Sequence, residues 1–337
     1  MFQRIIVPLD GSKGAERAIL VAARLARTSG GSLVLVRVVL PPVELGKFVT
    51  PHTAVWERQA YEIGRAQAAS YLAGAMLIHA NSLAGIETDL VVATGLAAPT
   101  ICASARLEHA DLIVMYSHGE TGLMRWMFGS VAQETARCTP VPVLLLQGRG
   151  AALPASHTAD PLRVIVVLDG SPMAEVALSP AIELLAALAA PARAVLHLVH
   201  VVDLPATYGR WRSQAHVSTM LQEQGGQEAE AYLKAVASRL QAEIPTSLKL
   251  SVTTSVALGT DVADTEFRSA EYSSNSGWSG GCTLIALATG KRGALRRILA
   301  PDVCEKILGS TRFPLLVVRP HEVVAHSSAK GSNAASR

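Results

Sequence analysis

Two short stretches of the 337-residue chain carry residue types that could do chemistry. The first is Asp10-Gly11-Ser12, directly after the apolar run Ile5-Ile6-Val7-Pro8-Leu9. A carboxylate there can accept hydrogen bonds from a ribose or an adenine amino group. The same residues can equally form an Asp-Gly turn, with Ser12 capping the next helix and Glu16 near its positive end. The second is Tyr116-Ser117-His118-Gly119-Glu120-Thr121-Gly122, after another apolar run, with Gly129-Ser130 opening a helix beyond it. Glycines let a backbone approach phosphates closely, and a helix start offers free N–H groups and the positive end of its dipole. The alternative is a glycine turn followed by an N-cap serine. Both stretches follow strands, where ligands bind in open α/β sheets.

Other chemistries lack their residues. There is no GxxxxGK[ST], and no GxGxxG follows a strand. Ser117 beside His118 is not a nucleophile–base pair, and no GxSxG elbow occurs. His52, His79, His197 and His200 show no metal-ligand spacing, with His200 in or near a strand. Lys291, Arg292, Arg296 and Arg297 read as a solvated helix face rather than a phosphate clamp. Cys102, Cys138, Cys282 and Cys304 form no CxxC and are expected as buried thiols of a reducing cytosol, not as a disulfide or zinc framework. A net charge of +3 leaves no nucleic-acid footprint. No purely apolar run approaches about 18 residues and the start MFQRIIVPLD reads as a strand, so a cytoplasmic protein without membrane contact is expected. With no general base, nucleophile pair or metal cluster behind a phosphate site, no enzyme is expected.

The elements that must position these residues come in two sets. RIIVPLDGSKGAERAI (4–19) returns as RVIVVLDGSPMAEVAL (163–178), VRVV (36–39) as VHVV (199–202), and VATG (92–95) as VALG (256–259). LIVM (112–115) returns as LIAL (284–287) and PVLL (142–145) as PLLV (314–317). Matches in one order with slowly drifting offsets indicate a duplicated unit of about 160 residues. In the first copy, apolar runs at 4–9, 32–40, 87–93, 110–115 and 141–146 alternate with helical patterns at 15–28, 55–80, 99–107 and 129–138. Continuous Ile/Val/Leu strands between helices predict two doubly wound, parallel-sheet, Rossmann-like α/β domains in tandem. The expected boundaries are a first domain at 1–147, a linker at 148–161, a second domain at 162–320 and a flexible tail at 321–337. An insertion near 273–281 separates the last matches of the second copy. The apolar strands ending each copy, at 143–146 and 315–318, would invite aggregation as free edges, so they are expected to pair as an internal pseudo-dimer.

At these residues the chain resembles the universal stress protein family in its tandem form. The resemblance is carried by IIVPLDGS, by ADLIVMYSHGETGLMRWMFGSVAQETARCTPVPVLLL and by weaker second copies of both, over most of 2–320. The family's nucleotide signature is Gly-x2-Gly-x9-Gly-[Ser/Thr]. Here Gly119 is its second glycine and Gly129-Ser130 its end, whereas Tyr116 replaces the first glycine. The resemblance implies ATP as ligand, with Mg on its phosphates. It places Asp10 at the ribose or adenine, Val38 and Met115 along the adenine, and Gly119, Gly129, Ser130 and Val131 around the phosphates, with Pro8 also among the cofactor-binding residues. Tyr116 is expected to fill the pocket; stacking on a base and pointing to solvent are its other orientations. In the second copy Ala300-Pro301 stands for Gly129-Ser130. Proline lacks both N–H and hydroxyl, so that site reads as degenerate. The implied function is nucleotide binding in a stress response, with an adenine nucleotide as partner and a homodimer of the whole chain as a further possibility. The alternatives are an interaction module with both sites lost and a slow ATPase.

Overall fold

The computed structural model describes residues 2–41, 51–117, 129–147, 162–189, 193–202, 215–245, 248–258, 284–289 and 313–320. Gly119, His118, Cys282, Cys304, the basic cluster at 291–297, Ala300-Pro301, the linker, the 273–281 insertion and the tail lie outside them.

The first copy folds as β1 (Arg4–Pro8), α1 (Lys13–Ser29), β2 (Ser32–Val39), α2 (Pro51–Ile78), α3 (Ala80–Leu83), β3 (Thr88–Thr94), α4 (Ala97–Leu107), β4 (Leu112–Tyr116), α5 (Ser130–Cys138) and β5 (Val143–Leu146). The second supplies β6 (Leu162–Leu168), α6 (Pro172–Glu175), α7 (Leu178–Ala189), β7 (Ala194–Val202), α8 (Ala215–Glu243), β8 (Leu250–Leu258), β9 (Leu284–Ala288) and β10 (Leu315–Val318).

α1 shows how the sequence sets these limits. Ser12 has extended backbone angles and its hydroxyl accepts from the Ala15 N–H, while Glu16 sits in the positive first turn. Ala15, Ala18, Ile19, Ala22, Leu25 and Ala26 recur at helical spacing on the buried face. Gly30 ends the helix in the left-handed region, its N–H returning to Ala26.

The strands form one ten-stranded sheet in the order β3-β2-β1-β4-β5-β10-β9-β6-β7-β8. Each half is parallel, with the same 3-2-1-4-5 order. The halves meet at β5 and β10, which run antiparallel with Leu145 opposite Leu315 and Val143 opposite Val317. Each terminal strand thus covers the edge of the other. Across the same seam α1 packs on α7, and the Arg24 guanidinium donates to the Leu188 carbonyl.

Alternate strand residues face opposite layers. Ile5, Val7, Leu33, Leu35 and Val114 meet α1 and α2; Ile6, Val34, Val36, Ile113 and Met115 meet α4 and α5. Among the described residues one stretch reaches membrane-spanning length and hydropathy, Pro172–Ala189. Half of it is buried, and α7 packs on β6, β7 and α1, so its apolar face serves the core.

The cysteine expectation is corrected here. Cys102 of α4 and Cys138 of α5 are joined as a disulfide, with Cα atoms 6.5 Å apart. They stand 36 positions apart with no local motif, and only the packing of α4 on α5 brings them together.

Candidate functional site

The first domain's strand order reverses direction at β1, which has β2 on one side and β4 on the other. Their carboxyl ends frame the crevice in which open α/β sheets hold ligands. Pro8 ends β1, in register with Val36. Asp10 follows it, exposed, and its carboxylate accepts from the Ser12 N–H at 2.9 Å. Val38, Met115 and Val131 belong to the layer under α4 and α5 and share one face. Gly129 caps α5 without a side-chain hydrogen bond, and Ser130 is the first helical residue. The Gly129 N–H points to the Ser117 hydroxyl at 3.4 Å, tying the start of α5 to the tip of β4. A helix end with no capping side chain leaves backbone donors for an anion. Seven of the eight expected residues therefore lie at these strand tips or at the start of α5; the eighth, Gly119, lies outside the described residues.

Tyr116 departs from expectation. Its ring is buried on the opposite face of the sheet, with Val114 and Leu146, rather than on the Met115 face. A Cβ at Gly14 of α1 would lie 3.2 Å from the ring carbons. The Arg17 guanidinium stands 5.9 Å from the ring centroid and donates weakly to the phenol at 3.5 Å. Side chains alternate along a strand, so the residue after pocket-facing Met115 must point the other way.

Sequence reasoning missed a polar brace behind the Asp10 loop. Arg37, at the end of β2, donates to the Leu9 carbonyl at 3.2 Å, and one of its nitrogens lies 3.1 Å from where a Gly11 Cβ would sit. The requirement for glycine at position 11 comes from its φ of +91°, since the guanidinium end of Arg37 can shift by a few tenths of an ångström. Arg37 also covers the Tyr71 ring at 5.3 Å, and Tyr71 donates to Glu16 at 3.1 Å. Burial, then the Glu16 carboxylate, push the Tyr71 phenol above its usual range.

The second domain repeats the device with one exchange. Asp169 accepts from the Ser171 N–H at 2.8 Å, and Tyr232 donates to Glu175 at 2.9 Å. His200 takes the place of Arg37, edge-on to Tyr232 at 5.4 Å and with Nε2 3.2 Å from a Gly170 Cβ position. Burial holds its imidazole below the ordinary value, against the opposing pull of Asp169. The signal was available in the repeat itself, which aligns Glu16 with Glu175 and Arg37 with His200.

Among the described residues no cluster of three or more His, Cys, Asp or Glu side chains could hold a metal.

The family described as "Universal stress protein family" matches residues 1–147 and 162–264. A universal stress protein of Mycobacterium bovis is 25% identical over 324 residues, covering 94% of this chain and 96% of its own. One from Thermus aquaticus is 31% identical over 149 residues, 44% of this chain and its entire own length. The crystal structure of a universal stress protein from Archaeoglobus fulgidus superposes with a TM-score of 0.57 at 15% identity, covering 95% of this chain and 97% of that one.

Proposed function

Because the chain belongs to the universal stress protein family, we propose that it is a cytoplasmic, adenine-nucleotide-binding stress protein with a single site, in its first domain, and no turnover. The observation that carries this reading is the uncapped start of α5, at Gly129-Ser130, held beside the tip of β4 on the face of Val38 and Met115. Phosphates would meet the backbone donors of Gly129, Ser130 and Val131, with the base against Val38 and Met115 and Asp10 toward the sugar. In the second domain the corresponding pair is Ala300-Pro301, which removes an N–H and a hydroxyl.

Calorimetry of the whole chain with ATP, AMP and cyclic AMP tests this. The expected stoichiometry is at most one nucleotide per chain. Ser130 is the first residue of α5, where proline is tolerated, so the double variant Gly129→Ala/Ser130→Pro should fold while losing binding by tenfold or more. Two nucleotides per chain, or unchanged binding by the double variant, would overturn the single-site assignment. The interaction-module reading has one observation in its favour: the Asp10 turn recurs at Asp169 in the degenerate copy, so local structure alone accounts for that carboxylate. No binding of any nucleotide would select it, and hydrolysis lost in Asp10→Ala would select the ATPase.

A further inference from the structure

We propose that Cys102 and Cys138 are a reversible thiol–disulfide modification site, oxidised by a hydroperoxide, whose closure restrains the start of α5. The two sulfurs differ in access: Cys102 is buried, whereas Cys138, the last residue of α5, is half-buried. In the disulfide both sulfurs lie near the Thr135 carbonyl oxygen, at 3.8 and 3.7 Å, and Cys138 is 3.9 Å from the Ala98 oxygen; these carbonyls are the nearest acceptors for thiol protons once the bond is reduced. Reversibility follows from the cytoplasmic location proposed above, because disulfides in reducing compartments are mostly of the transient kind.

The chemistry balances with the oxidant named. The more accessible Cys138, as thiolate, attacks one peroxide oxygen; the O–O bond breaks, giving a sulfenic acid and releasing water or an alcohol after protonation. The Cys102 thiolate then attacks the sulfenic sulfur, forming the S–S bond and expelling hydroxide, which leaves as water. Two thiols are oxidised and one peroxide is reduced. A dithiol restores both thiols by exchange and is itself oxidised to a disulfide.

The covalent loop spans 36 positions and encloses Met115, Ser117, Gly119, Gly129, Ser130 and Val131. Closing it stabilises the folded state, because the cross-link removes conformations from the unfolded ensemble. α5 is only nine residues long, so anchoring its last residue to α4 restrains its first. The consequence for a nucleotide rests on the function proposed above; the restraint of α5 does not.

The test uses the full-length chain as a Cys282→Ser/Cys304→Ser variant, treated with hydrogen peroxide or dithiothreitol. Peptide mass spectrometry should find Cys102 linked to Cys138 after peroxide and both free after dithiothreitol. Hydrogen exchange at residues 129–133 should be at least tenfold slower in the oxidised form, and its thermal midpoint roughly 5 °C higher. The further variant Cys138→Ser, at the half-buried position, should behave as the reduced form under both treatments. Absence of the linked peptide, or a link that dithiothreitol cannot open, would overturn the assignment. So would equal exchange at the start of α5 in the two states. ATP affinity is measured alongside: several-fold tighter binding by the oxidised form extends the proposal to the nucleotide. A chain that shows the exchange difference but binds no ATP refutes only the nucleotide reading.

Discussion

Tyr116→Gly is expected to destabilise the chain by about 3–5 kcal/mol rather than to open a nucleotide site. The ring is buried among Ile5, Val7, Val114 and Leu146 and lies against Gly14. Removing it leaves a void under α1, and a glycine in β4 adds backbone freedom to the unfolded chain. Tyr116→Phe keeps the ring and its burial and gives up the long contact from Arg17, so it should stay within about 1 kcal/mol of the parent. Urea unfolding of the three proteins measures both effects. A glycine variant as stable as the parent, with tighter ATP binding, would place the ring in the pocket instead. The repeat explains how a tyrosine came to fit. Position 14 is glycine where the ring needs room, and the corresponding pair in the second copy, Met173 and Ala288, reverses the sizes. α6 and β9, which carry that pair, are in contact as α1 and β4 are.

Acid should weaken the second domain through His197 by about 3 kcal/mol between pH 6.5 and pH 4. This imidazole is 1% exposed in β7, with Nδ1 2.8 Å from the Thr253 hydroxyl and Nε2 2.9 Å from that of Ser255. Burial first, and the Arg163 charge second, pull its pKa down to about 4. The unfolded chain, with an ordinary value near 6.5, takes up a proton that the folded chain refuses over this interval. Stability is therefore full above pH 6.5, falls as the pH drops, and levels off below about 4; each pH unit of the interval costs about 1.4 kcal/mol. Both hydroxyls can accept from an imidazolium, so the loss comes from desolvation and Arg163 rather than from broken hydrogen bonds. The counterpart of His197 in the first copy is Val34. His197→Val should flatten this part of the curve, read as urea midpoints from pH 7 to pH 4. An unchanged slope would exclude His197 as its source.

What could be read before folding follows from periodicity and repetition. Continuous Ile/Val/Leu runs at β1, β2 and β4, with Ser12 and Gly30 punctuating α1, define elements whose causes are local, and the observed limits differ from expectation by a few residues. The duplication follows from aligned strings, and the apolar ends of both copies identified the strands that pair at the seam. The turn at Asp10-Gly11-Ser12 was equally legible, since an Asx turn and an N-cap are made by neighbours in sequence.

The bond between Cys102 and Cys138 was not legible in that way, and for Tyr116 and the brace of Arg37, Tyr71 and Glu16 strand alternation and the repeat gave signals that only packing turned into contacts. Each depends on which layer of the sheet a side chain enters and on what a distant helix brings to meet it. Cys102 and Cys138 become neighbours only because α4 and α5 cover the same face. Tyr116 leaves the crevice because strand alternation, counted from Met115, sends it beneath α1. Local sequence determined the elements and the candidate crevice between them; long-range packing decided which side chains enter that crevice and which are drawn into the core behind it.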